Sequence, residues 1–152
     1  MVSYTQTRLC APTASVWVVD DDEDDRLIIQ SAFKDIDRPI SVLTFTDGDQ
    51  VLPKLVNCDQ LPQLILLDIN MARLNGFETL LQLRSTPEFS HLSVVMLTTS
   101  SEASDRQQSL ALGASQCLTK PTSYRQLVAL ISKLTEQWDS AIVEPGLAES
   151  IE

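Results

Sequence analysis

Short apolar runs alternate with amphipathic stretches along most of the chain. Residues 15–19, SVWVV, are β-branched and aromatic and predict a buried strand. Six consecutive acids, Asp20 to Asp25, follow. Leu27, Ile28, Ile29, Ala32, Phe33 and Ile36 then recur at helical spacing, with the acids at the helix end that the backbone dipole favours. Pro39 interrupts this stripe, ISVLTF at 40–45 alternates as a second strand, and Asp47 with Gly48 forms a turn. Val51, Leu52, Leu55 and Val56 predict a second helix, in which Pro53 fits only if it falls in the first turn. QLILLD at 63–68 is almost wholly apolar, as expected of a central strand covered on both faces.

The alternation continues. Gly76 precedes Phe77, Leu80, Leu81 and Leu83, a short helix ending before Pro87, and LSVVML at 92–97 is another buried strand. A fourth helix, from about Glu102 to Leu112, rests on Ala103, Leu110 and Ala111 and stops at Gly113. Ser115 to Leu118 is a brief fifth strand. Tyr124, Leu127, Val128, Ile131, Leu134 and Trp138 mark a strong fifth helix. This divides the chain into an extension at 1–14, a folded body at 15–138 and an acidic segment at 139–152 that reads as a mobile tail. Five strands alternating with five helices predict an α/β, doubly wound parallel sheet with helices on both faces.

The length of 152 residues suits one compact domain with no separate output domain. Eleven basic against twenty-one acidic residues give a formal charge of −10, which repels phosphate backbones and anionic lipids, so neither nucleic acid nor membrane is expected as a partner. Cys10, Cys58 and Cys117 are odd in number and widely spaced, and they read as reduced thiols of a cytoplasmic protein. No apolar run approaches the ~18 residues that span a bilayer.

Ligands of such sheets bind beyond the carboxyl ends of the strands. That rule selects Asp20 and Asp21 after strand one, Asp68 ending strand three, Thr98 after strand four and Lys120 after strand five. Three carboxylates at one sheet edge repel one another unless a cation joins them. Oxygen ligands without His or Cys favour Mg²⁺ or Mn²⁺. Lys120 and Thr98 add a positive charge and a hydroxyl donor that could hold phosphoryl oxygens, and Asp68 is the expected nucleophile because aspartate forms acyl phosphates.

With these residues in view, the chain resembles the receiver domains of two-component response regulators over about residues 15–138. The resemblance is carried by Val18 to Asp21, by Leu66 to Gly76, by Thr98, and by Lys120 with Pro121, with thirty residues from Asp68 to Thr98 and twenty-two from Thr98 to Lys120. It implies the flavodoxin-like strand order 2-1-3-4-5. It also implies phosphorylation of Asp68 by a sensor histidine kinase or phosphotransfer protein, and Mg²⁺ held by Asp21 directly, by Asp20 through water, by Asp68 and by the backbone carbonyl of Asn70. Thr98 would move to the phosphoryl oxygen and Lys120 would pair with it. Such a protein catalyses its own phosphorylation and dephosphorylation, transforms no external substrate and signals through protein contacts. The family also allows a homodimer through helix 4, strand 5 and helix 5. The acidic start of helix one, the DGD turn at 47–49 and the short tail look similar to stand-alone regulators that accompany bacterial phytochrome-type kinases.

The chain departs from the family pattern at three places. Ala72 replaces a common proline, Thr99 is bulkier than the usual Ala or Gly, and Cys117 stands where an aromatic ring commonly changes rotamer with the Thr. The switch region of Thr99, Cys117 and Pro121 is therefore expected to work differently. Other readings are weaker. A flavodoxin-like cofactor binder needs a phosphate-welcoming loop where this chain is anionic, and a haloacid-dehalogenase-type phosphatase needs an acid where Asn70 stands. A receiver-like binding module without phosphorylation is the remaining alternative. Asp22 to Asp25 read as capping and helix-start acids, His91 as a surface residue, and Trp17 and Trp138 as packing residues.

Overall fold

The computed structural model describes residues 14–99 and 102–151, with side chains as far as residue 137. Five parallel strands, β1 (Ala14–Val19), β2 (Ile40–Phe45), β3 (Leu64–Asp68), β4 (Val94–Thr98) and β5 (Gln116–Thr119), lie in the order β2-β1-β3-β4-β5. Five helices connect and follow them: α1 (Glu23–Lys34), α2 (Val51–Asn57), α3 (Gly76–Ser85), α4 (Ala103–Ala111) and α5 (Tyr124–Ile151). The parallel, doubly wound sheet is the one expected from the alternation, and its order is the flavodoxin-like one that the family resemblance implies.

Both faces of the sheet are apolar because side chains alternate along each strand. Trp17, Val19, Ile65, Leu67, Val94 and Met96 point into one cluster, shared with Val51 and Leu55 of α2 and Leu80 and Leu83 of α3. Val16, Val18, Leu64, Leu66, Val95 and Leu97 point into the other, closed by α1 and α5 through Phe33, Leu127 and Ile131. The Trp17 and Phe45 rings meet at 4.9 Å between centroids, joining β1 to β2. Trp17 is thus a packing residue, whereas the side chain of Trp138 and all of Cys10 lie outside the described residues.

Local signals explain the helix ends. Asp22 caps α1 by accepting the N–H groups of Asp24 and Asp25. A 3-10 turn, Gly48–Gln50, leads into α2, so Pro53 falls among the first residues, whose N–H groups have no partner within the helix. Asn75 and Glu78 cap α3 reciprocally. Gly113, with φ at 103°, closes α4: its N–H reaches Leu110 and that of Ala114 reaches Ser109.

Val56 of α2, Leu81 of α3 and Tyr124 of α5, each counted in its helix's apolar stripe, are exposed, and two helices depart further from their sequence pattern. On α1, Leu27 and Ile28 face outward at 54% and 44% exposure, and Ile29, Ala32 and Phe33 carry the packing. On α4, Ala103, Leu110 and Ala111 are all exposed, and the one buried residue is Ser109. A three-residue apolar set in a mostly polar helix was too sparse to set its inward face; the closing turn did so instead by packing Leu112 and Ala114 onto the core. The backbone of α5 runs on to Ile151, through the acidic segment read in the sequence as a tail, and the domain boundaries stay an expectation. No helix among the described residues is long and apolar enough to cross a membrane.

Candidate functional site: an acid pocket at the carboxyl edge of the sheet

The carboxyl ends of β1, β3, β4 and β5 converge at one edge of the sheet. Asp20 follows β1, Asp68 and Thr98 end β3 and β4, and Lys120 follows β5. The backbone fixes their relation, since Asp68 is paired with Leu97, Thr98 with Thr119, and the Lys120 N–H donates to the Thr98 carbonyl at 2.7 Å. Carboxylate oxygens of Asp20, Asp21 and Asp68 lie within 4.8 Å of one another, with Asp20 and Asp68 buried and Asp21 exposed. Three hard oxygen donors at this separation, one open to solvent, suit a divalent cation that keeps part of its water shell.

Asp20 is the anchored member. Its Oδ1 accepts the Asp22 N–H at 2.9 Å and its carbonyl accepts from Arg26 Nη1 at 2.7 Å, so the first turn of α1 holds it from two sides. Lys120 Nζ donates to Asp20 Oδ2 at 2.8 Å and to Asp25 Oδ2 at 2.7 Å, and lies 3.4 Å from Asp68 Oδ1. Asp68 is therefore the least engaged of the three partners of this ammonium. Asp25, read in the sequence only as a helix-start acid, reaches Lys120 from the first turn of α1. Nothing local signals that contact, because its partner is 95 residues away.

The electrostatics follow from this crowding. Burial, then the neighbouring charge of Asp20, pushes the Asp68 carboxyl up to about 6, against the pull of Lys120. Burial also raises Asp20, partly offset by its hydrogen bond from Lys120. Burial alone would lower the Lys120 ammonium, but its bonds to Asp20 and Asp25 push it well above the usual lysine range. With four carboxylates around one ammonium the formal charge is −3, which a divalent cation relieves.

The remaining candidates sit as follows. Asn70 is exposed two residues beyond Asp68, Thr99 is exposed just past β4, and Cys117 is buried in the α2–α3 side of the core. Arg106 of α4 donates to the Cys117 carbonyl at 3.0 Å, tying α4 to β5. Pro121 lines a cavity of about 230 Å³ between α1 and the loop after β5, which shares Asp25 and Lys120 with the acid pocket. Gly76 opens α3 directly against the phosphoacceptor candidate: a Cβ there would stand 2.4 Å from the Asp68 carbonyl oxygen. His91 is exposed, as expected.

Residues 16–132 match the response regulator receiver domain. The chain belongs to that family. Among curated receiver-containing proteins it is 31% identical over 116 residues to Protein PilG of Pseudomonas aeruginosa, covering 76% of this chain and 83% of PilG. It is 30% identical over 118 residues to the sensor histidine kinase CheAY of Helicobacter pylori, covering 78% of this chain but only 14% of CheAY. The chain spans 38% of another such relative, a CpxR homolog of Haemophilus influenzae. Among solved receivers, the phosphorylated cyanobacterial phytochrome response regulator RcpA matches with a TM-score of 0.77 and 29% identity, covering 86% of this chain and 96% of RcpA. The Mn²⁺-bound response regulator Rcp1 matches at 0.73 and 26%, covering 84% and 94%. The bacteriophytochrome response regulator RtBRR matches at 0.69 and 32%, covering 81% and 78%.

Proposed function

We propose that this receiver accepts a phosphoryl group on Asp68 and signals through protein contacts. The observation that carries the proposal is the grip on Lys120: its ammonium is held by Asp20 and Asp25 and set 3.4 Å from Asp68, where an added phosphoryl oxygen would give it a closer partner. In the reaction an Asp68 carboxylate oxygen bonds to phosphorus as the P–N bond to the donor histidine breaks, and the electron pair leaves with the imidazole nitrogen. Asp20, Asp21, Asp68 and the Asn70 carbonyl would hold Mg²⁺ or Mn²⁺, which when bound neutralises charge on the transferring group. Lys120 stabilises the same charge from the β5 side, and Thr98 stands at the end of β4 as the hydroxyl donor. The donor is a sensor histidine kinase or phosphotransfer protein, and the phytochrome response regulators among its structural relatives favour a kinase of that type. We place the protein in the cytoplasm, in keeping with its free Cys58 and Cys117.

The test is labelling with acetyl phosphate and Mg²⁺, read by intact mass. The wild type gains one phosphoryl group, and Asp68→Asn gains none because an amide is a poor nucleophile. Chelating the metal stops the wild-type reaction. Labelling that persists in Asp68→Asn moves the acceptor elsewhere, and a wild type that never labels leaves the chain a binding module.

A further inference from the structure

Asp47 lies outside the acid pocket, yet it is as buried as the two buried pocket acids, at 6% exposure against 2% for Asp20 and 8% for Asp68. It stands two residues past β2 and caps the 3-10 turn Gly48–Gln50. Within that turn its Oδ2 accepts the Asp49 N–H at 3.3 Å, and it forms a capping box with Gln50. Two further bonds cross to the loop that leaves Asp68: Oδ1 accepts the Arg73 N–H at 3.0 Å and Oδ2 accepts the Leu74 N–H at 2.8 Å.

Several neighbouring features brace the same contact. Gln50 Oε1 accepts the N–H groups of Thr46 and Asp47 at 2.8 and 3.3 Å and so holds the Asp47 main chain. Gly48 lets the turn sit directly on the loop, since a Cβ there would fall 2.5 Å from the Leu74 carbonyl oxygen and 1.9 Å from Thr79 Oγ1. At its base the loop is closed by the Gly76 N–H donating to the Ile69 carbonyl at 2.8 Å. The Arg73–Asp49 ion pair at 3.2 Å is exposed and adds little. Between base closure and latch lie Asn70, Met71 and Ala72, and a buried ionised acceptor is among the stronger ways to hold two N–H groups.

We infer that Asp47 is a positioning residue of the acid pocket: by receiving the Arg73 and Leu74 N–H groups it fixes the loop that follows Asp68 and sets the pocket's hold on a divalent cation without touching the ion. The inference shares with the reading above the placement of the cation at Asp20, Asp21 and Asp68, and it does not depend on phosphoryl transfer. An Asn at 47 is isosteric but offers one acceptor oxygen where the carboxylate offers two, so at least one of the two loop N–H groups loses its partner.

Calorimetric titration of Mg²⁺ into the full-length chain tests this, run below the melting temperature of each variant. Asp47→Asn should weaken Mg²⁺ binding about fivefold, the equivalent of ~1 kcal/mol, and Gln50→Ala should weaken it less and in the same direction. In amide NMR spectra of the wild type, the Arg73 and Leu74 resonances should shift as Mg²⁺ is added, which a simple turn cap would not produce. Lower thermal stability in Asp47→Asn with unchanged Mg²⁺ affinity and no Mg²⁺-dependent shift at Arg73 or Leu74 would overturn the inference. If Asp47→Asn does not fold, an unchanged affinity in Gln50→Ala overturns it equally. A wild type that binds Mg²⁺ with this Asp47 dependence but takes no phosphoryl group would sink the reading of Asp68 and support that of Asp47.

Discussion

Asp68 and Asp47 are both buried carboxylates at the carboxyl end of a strand, Asp68 as the last residue of β3 and Asp47 two residues past β2, and their surroundings push them in opposite directions. Burial and the nearby Asp20 lift Asp68 to about 6. Burial would lift Asp47 too, but the N–H groups of Arg73, Leu74 and Asp49 outweigh it and pull the carboxyl below its ordinary value. One carboxylate has its partners in the fold; the other is short of positive charge until something brings it. A buried acid whose surroundings oppose its ionisation points to a ligand or reaction, and one whose surroundings favour it points to architecture.

The most damaging challenge to this contrast is to change which acids serve the cation. Asp21 is exposed and belongs to the three-acid cluster, whereas Asp22 next to it caps α1. Asp21→Ala should cut divalent-cation affinity roughly tenfold or more, while Asp22→Ala should cost about 1 kcal/mol of stability and leave the affinity nearly unchanged. Equal effects on affinity would mean the two roles are misassigned.

The pH dependence of metal-free protein sharpens the contrast next. Because Asp68 is raised, the folded state binds more protons than the unfolded state between the ordinary carboxyl value and about 6, so its contribution to stability is lost as pH rises through that window. Asp47 is lowered, so its contribution is present above the ordinary value and lost as pH falls through the lowered one. Melting temperatures in a chelator should therefore show Asp68→Asn more stable than wild type at neutral pH and Asp47→Asn less stable, with both differences shrinking in acid. A common sign for the two variants would refute the contrast.

A smaller effect is expected at Asp25, whose side chain is about a third exposed. Asp25→Asn leaves Lys120 with Asp20 and Asp68, which draws the ammonium toward Asp68 and favours its ionised form. The rate of labelling by acetyl phosphate, followed against pH, should then keep its plateau and shift its acid limb to lower pH. An unmoved limb would show that Asp25 does not compete for Lys120.

The smallest expected change is in α4, which buries only Ser109 and is tied to β5 through Arg106. With Mg²⁺ and the phosphoryl mimic beryllofluoride, amide exchange should change in 102–112 and 119–123. If Thr98 moves toward the phosphoryl group, Cys117 is too small to follow it as an aromatic ring would, and the main chain would have to carry the signal. Altered exchange confined to the neighbourhood of Asp68 would point to direct recognition of the pocket instead.

The difference between Asp68 and Asp47 also marks how far the sequence could be read. Asp20, Asp21 and Asp68 were legible because an acid at the end of an apolar run declares its place at the carboxyl edge of a parallel sheet, and Thr98 and Lys120 stood after the next two runs. The sheet was legible because its central strands, β3 and β4, are buried at every position and read as apolar runs, while β2 read as an alternating strand. Asp47 read only as a turn former, since its loop partners lie 26 and 27 residues further along the chain. Asp25 was indistinguishable from its acidic neighbours for the same reason, and the inward face of α4 was lost because a serine, not a leucine, occupies it.

Lys120 follows the last strand of the sheet, and this sets an order of events during synthesis. The chain is made from its N-terminus, so the segments carrying Asp20, Asp25 and Asp68 are all made before the residue that holds those acids together. Until Lys120 leaves the ribosome, pairing β1 with β3 gathers negative charge with no lysine to offset it. An edge that gathers these acids has to wait for that ammonium, which offsets part of their repulsion and leaves the rest to a divalent cation.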